Sequence, residues 1–441
     1  MAWFQDRLYL GLTHARGEGP QDAARILRFD PERVEWDTVH RSELVNADAR
    51  VHARDVYRGR GSELRHARAG RAASAGNACE VPLDRGYRSM VVFQGNDDAE
   101  PALYVGTLSQ LGAALLRSRD GEQFTRIAMP TAARGVATTL SFRGLTCLDG
   151  KLFAAPAGKV DGESMDRNFG ERPELYVTEN PEAQGWRSAL PEDFGDPGDR
   201  SIFSMTVFDQ KLYISTGNPE RGFSLWRTRA LGEPPFDWER VLFDGAGRYN
   251  LNETAATLCS FGGALYIGSG LPGLGHDRAN DVGPAAFELL RLLPNDQWDL
   301  LVGTPRFTLQ GLKVPLAAQG PGFDDPFNSV VWAMAAHEGC LYVGTHQWEP
   351  FAGALRGDAS LRGGYQLWAS EDGESWIRLL DQGHGDPFQT GIRTLLSTPI
   401  GLAVGTTNHQ EIERRWRRSA GLPPASGQSG GCAVLLGLPN T

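Results

Sequence analysis

Two groups of side chains in this sequence have the types and spacing to do chemistry. His14, His346 and His409 each fall five to seven residues after a recurring leucine-led phrase, and Glu349 and Glu411 accompany two of them. Three imidazoles with a carboxylate could hold a divalent metal, or supply a general acid and base. The plain alternative is solvated loop histidine. Arg88, Arg143 and Arg393 form the second group. Each stands two residues before an apolar position shared by several segments, where Trp332 stands in another copy and Tyr87 precedes Arg88. Arginine is rarely buried without a partner, so three at one register read as a clamp for a carboxylate or phosphate. The alternative is pairing with loop carboxylates such as Asp84, Glu253 or Asp386. Glu253 also enters as a candidate catalytic carboxylate, beside Asn250 and Asn252.

What positions these groups is a repeat. The phrase Leu-Tyr-X-Gly recurs with variation at Leu8, Leu103, Leu152, Leu212, Leu265, Leu341 and Leu402, at separations of 49 to 95 residues. Strand signals surround each copy. Ser201 to Phe208 suits a buried inner strand, Asp209-Gln210 a tight turn, Lys211 to Thr216 a second strand, Phe223 to Thr228 a third and Asp237 to Leu242 an outer one. This predicts an all-β chain, a single seven-bladed β-propeller over residues 1–441 with four-stranded antiparallel blades. The aromatics that open most outer strands, Trp298 and Trp376 among them, are expected to pack between blades. Both chain ends are expected to share in closing the ring.

Loop lengths pick a face. First-to-second turns are short, whereas the segments 41–86, 157–173, 270–286, 303–328, 346–364 and 407–430 are long. Long loops gathered on one face suit a binding site at a channel mouth. The insertion 41–86 carries Arg54, Arg58, Arg60, Arg65, Arg68 and Arg71 and could act as a lid, or be a solvated loop.

Two turns, Ser118-Arg-Asp-Gly and Ser370-Glu-Asp-Gly, resemble the Asp-box of sialidase-like (BNR-repeat) propellers. The resemblance implies a propeller fold and a turn that is structural. That family also places three arginines on a substrate carboxylate, but the chain has no matching Tyr-Glu nucleophile pair.

Bulk composition narrows the classes. The formal net charge is -10, which disfavours a nucleic-acid surface. No apolar run is long enough to span a membrane. The first repeat begins at once, leaving no room for a leader, so a cytoplasmic protein is expected. The five cysteines have no Cys-X-X-Cys spacing and read as free thiols. No nucleotide-binding glycine motif and no Gly-X-Ser-X-Gly elbow occur. The expectation is an enzyme of hydrolase or lyase type on a small anionic or sugar-like ligand, with a divalent metal as the one cofactor considered. A protein-interaction platform is the alternative.

Overall fold

The computed structural model describes residues 1–13, 20–47, 79–109, 111–127, 139–159, 169–183, 185–273, 275–277, 280–356, 362–419, 421–423 and 431–437. Among these the chain is all-β, with only short helices, the longest at Glu349–Arg356 and Gln410–Ser419. No described helix is long and apolar enough to cross a membrane. The chain divides into two compact units, one of Met1–Leu212 with Thr228–Trp238, the other of Tyr213–Arg227 with Glu239–Thr441.

The first unit holds three antiparallel meanders. Their strands are Ala2–Phe4, Arg7–Gly11, Arg25–Asp30 and Glu35–Arg41; then Gly86–Phe93, Ala102–Leu108, Leu115–Ser118 and Thr125–Ile127; then Thr139–Leu148, Lys151–Lys159, Tyr176–Thr178 and Arg187–Ser188. The second unit holds Thr254–Phe261, Ala264–Gly270, Leu289–Leu292 and Trp298–Val302; then Asn328–His337, Cys340–Gln347, Leu367–Ser370 and Ile377–Leu380; then Gln389–Thr398, Gly401–Asn408 and Val434–Gly437. The division falls within a further sheet of Ile202–Phe208, Lys211–Thr216, Ser224–Thr228 and Glu239–Leu242. From the insertion 41–86, a hairpin of Leu44–Ala47 with Cys79–Pro82 is described. Its arginines named above lie outside the described residues.

The repeated phrase has a physical cause. Its glycine sits where the next sheet's first strand comes close. A Cβ on Gly344 would lie 2.6 Å from Cβ of Ile392, one on Gly106 2.9 Å from Cβ of Phe142, and one on Gly11 2.6 Å from the carbonyl oxygen of Tyr87. The tyrosine before that glycine is buried at Tyr9, Tyr104, Tyr213 and Tyr266. The turns before the phrase have positive φ at both central residues in Gln5-Asp6, Asp149-Gly150, Asp209-Gln210, Gly262-Gly263 and Glu338-Gly339. That matches the right-handed twist of the strands they join.

A device that sequence reading passed over ties neighbouring sheets together. Third-strand arginines stand across from the tyrosines, Arg28 from Tyr9, Arg117 from Tyr104 and Arg291 from Tyr266. Each reaches a carboxylate of the following sheet. Arg28 donates to Glu122 at 2.9 Å, Arg117 pairs with Glu182, and Arg291 pairs with Glu374 at 2.8 Å. Arg227 does the same with Asp296. A charge-assisted pair partly shielded from water holds its geometry better than an exposed one.

Both Asp-box-like turns are hydrogen-bonded alike. Ser118 donates to Asp120 and accepts from the Gly121 N–H, while Asp120 accepts from the amides of Glu122 and Gln123 at 2.9 and 2.8 Å. Asp372 repeats this with Ser370, Glu374 and Ser375. Gly121 packs on the Tyr9 hydroxyl and Gly373 on that of Tyr266, so a side chain at either glycine would collide. These turns are structural, and their chemistry is spent within the fold.

Candidate functional site

The register proposed for the arginines coincides with a β-bulge in the first strand of five of the sheets. The pairing slips between Tyr87 and Ser89, between Phe142 and Gly144, between Ala255 and Thr257, between Val331 and Ala333, and between Ile392 and Thr394. The residues skipped are Arg88, Arg143, Ala256, Trp332 and Arg393. A bulge leaves one residue without a cross-strand partner and re-aims its side chain. Each of these five sheets therefore presents one special position.

The second unit fills that position with Trp332 and Arg393 and surrounds them with two histidines. The Arg393 guanidinium lies over the Trp332 ring, 4.9 Å from its centroid. Trp332 stacks at a tilt on His346, with centroids 4.2 Å apart, and His346 meets His409 edge-on at 5.8 Å. Phe351, from the helix Glu349–Arg356, closes on His409 at 6.1 Å.

Each histidine ends a second strand and stands shortly before a helix. A repeated pentapeptide sets its ring. Asp325-Pro-Phe-Asn-Ser and Asp386-Pro-Phe-Gln-Thr each make a turn in which the aspartate accepts the phenylalanine N–H at 2.9 Å. The phenylalanine carbonyls then accept from Trp348 and His409 N–H groups. The closing residues deliver the hydroxyls, Ser329 to Nδ1 of His346 at 3.1 Å and Thr390 to Nδ1 of His409 at 2.8 Å. Ser329 and Thr390 were missed in the sequence, yet the repeated pentapeptide marks them.

The Ser329 hydroxyl also donates to the His346 carbonyl at 3.3 Å. The hydroxyl thus engages both Nδ1 and the carbonyl and leaves Nε2 of His346 to other partners. That Nε2 is buried and has no hydrogen-bond partner among the described residues. Burial first, then the neighbouring His409 and Arg393, hold His346 well below the ordinary imidazole range. Burial and Arg393 lower His409 to about 4. Both rings are therefore neutral near pH 7. No carboxylate acts on either ring, or on Arg393, among the described residues. His346 is 3% exposed, whereas His409 is less deeply buried and is the ring better placed to meet a ligand.

The remaining candidates have partners of their own or are buried in the fold. Arg143, in the first unit, rests on Phe203 at 4.1 Å with Phe169 beyond at 5.8 Å. Arg88 donates to Ser141 Oγ at 2.9 Å. Tyr87 belongs to the core with Phe4, Tyr9 and Leu103, and burial pushes its hydroxyl far up. Glu253, in the second unit, is 1% exposed at the entry to Thr254–Phe261. His14 lies outside the described residues. Among the described residues no three metal-binding side chains converge. Asp84, considered as an arginine partner, pairs instead with Arg126 at 2.6 Å.

A fully buried carboxylate that sequence reading did not find is Glu288. It accepts from Arg306 at 2.8 Å and from Asn252 at 2.8 Å, with Arg248 at 3.5 Å. These partners compensate its burial, as a buried charge requires, and make it a structural anchor.

No family model and no curated protein matches the chain. Among solved structures it is similar to a nidogen/laminin complex, at 12% identity and a TM-score of 0.38, covering 85% of this chain and 93% of that one. It is similar to a GH74 enzyme of Niastella koreensis at 12% identity and a TM-score of 0.41, covering 83% of this chain and 44% of that one. It is also similar to a puromycin hydrolase variant at 12% identity and a TM-score of 0.40, covering 92% of this chain and 57% of that one. The chain thus spans about half the length of the last two. Likenesses this distant assign no activity.

Proposed function

We propose that the chain is a β-propeller, seven-bladed by its repeat count, that binds a small carboxylate-bearing molecule at Arg393. The observation that carries this reading is Arg393 itself, a cation over Trp332 with no carboxylate partner among the described residues. A cation held that way favours an anion from outside, and the two neutral imidazoles beside it add no competing negative charge. Arg88 and Arg143, the other members of the expected clamp, stay candidates for a contact of their own.

The residues at hand favour elimination over hydrolysis. Glycoside hydrolysis generally uses two carboxyl groups, and among the described residues none acts at Arg393, His346 or His409. In an elimination, Arg393 would pair with the substrate carboxylate and make the adjacent C–H more acidic. His409, neutral, would accept that proton; the β C–O bond would break; the leaving oxygen would take the proton back from His409, and a C=C bond conjugated to the carboxylate would form. Sugar acids have the required carboxylate and β-oxygen.

The test is calorimetric titration of the full chain with small carboxylates and uronate oligosaccharides, paired with ultraviolet detection of an unsaturated product. Binding weakened tenfold or more by Arg393→Gln supports the anion site. Product formation abolished by His409→Ala, with binding kept, supports the base. Binding that is indifferent to Arg393→Gln sinks the reading.

A further inference from the structure

In the second unit, the segment after the outer strand Trp298–Val302 folds into a hairpin of Arg306–Thr308 with Gly311–Lys313. Its amphipathicity is inverted. Arg306 and Lys313, opposite each other, face the protein. Arg306 donates to buried Glu288 at 2.8 Å and to the Ala246 carbonyl at 3.1 Å. Lys313 bonds to the Trp298 carbonyl and lies 4.7 Å over its ring. The next cross-strand pair, Phe307 with Leu312, stands in solvent at 84% and 56% exposure. Leu309 at the tip is 91% exposed, and Val314 and Leu316 follow at 47% and 44%.

Burying the cations and exposing the apolar pair is the reverse of what water favours. The two anchors hold that orientation in place. We propose that this hairpin is the contact by which two copies of the chain pair.

Several features of the hairpin favour a second copy over other occupants. The five side chains expose on the order of 500 Å² each side, so two faces together would remove about 1,000 Å², the size at which specific interfaces begin. The apolar face carries no charge, so a two-fold axis can set it against itself without repulsion, as an isologous contact needs. A lipid surface is less suited, because the hairpin's two cations are turned inward and the chain's net charge is -10. Neither hairpin strand has a second strand neighbour among the described residues, so backbone groups are also available to such a contact.

Sedimentation equilibrium of the full chain across the micromolar range tests this. The expected result is a mass near twice 48.1 kDa, with Phe307→Asp and Leu309→Ser each raising the dissociation constant a hundredfold or more. Both positions are exposed, and an unchanged circular-dichroism melt of the dilute variants would show that they still fold. A wild-type chain that stays monomeric throughout overturns the proposal. So does a dimer that survives Phe307→Asp. Co-sedimentation with neutral or anionic lipid vesicles is the second arm. A monomer that binds vesicles through Phe307 would replace the second copy with a bilayer.

Discussion

The guanidinium of Arg393 rests over the indole of Trp332, and both residues occupy the bulge of their own first strand. Two adjacent sheets thus contribute the same register position to one cluster. His346 on the strand Cys340–Gln347 pairs across to Gly391, two residues before Arg393, which binds the cluster into a single piece of backbone.

Replacing Arg393 with glutamine should raise the pKa of His409 above about 4, because a positive neighbour is removed while the larger effect, burial, stays. The value should therefore remain below that of free histidine. Proton NMR titration of the histidine ring signals reads this directly. No change in the His409 titration would mean that the two groups do not feel each other.

Acid should destabilise the second unit through the same histidines. Their folded pKa values are depressed, so the unfolded chain binds more protons as pH falls below about 6.5. The stability they contribute is full above that pH and is lost progressively as pH falls toward about 4. Urea unfolding at a series of pH values should show the decline, and a combined His346→Gln and His409→Gln variant should show a shallower one. An equal slope in the variant would place the acid sensitivity elsewhere.

Gly344→Ala should cost about 3 kcal/mol, because its new methyl would meet Ile392 in a packed layer. Ile392→Ala alone should cost a comparable amount by leaving a cavity. The double variant should cost less than the two together, which a double-mutant cycle in urea would measure. Simple additivity would argue against the close approach.

Asp372→Asn should destabilise the chain by about 1 kcal/mol and leave anion binding at Arg393 unchanged. The amides of Glu374 and Ser375 hold the Asp372 carboxyl well below the usual range. Its contribution is present above the ordinary aspartate pKa and fades only in strong acid. The wild type and the variant should therefore converge in unfolding midpoint as pH falls far into the acid range. A loss of ligand binding in this variant would show that the turn does more than hold the sheet.

The sequence alone determined the repeat, the strand order within each sheet, the tight turns and the special register. These are local matters, set by period-two alternation, by residues that accept positive φ, and by a glycine that must admit a neighbouring strand. Even the hydroxyl partners of the histidines were present as the repeated pentapeptide at Asp325 and Asp386. Tertiary structure decided which of the marked residues meet. Arg393, Trp332, His346 and His409 come together because adjacent strands carry them, while Tyr87 sinks into the core and Glu253 is buried at the start of its own strand. It also decided that the two histidines are neutral, since burial beside a cation is a property of packing. The inverted hairpin lay beyond sequence reading for a related reason. Arg306 and Lys313 turn inward only because Glu288 and Trp298, distant or unpaired in sequence, wait beneath them.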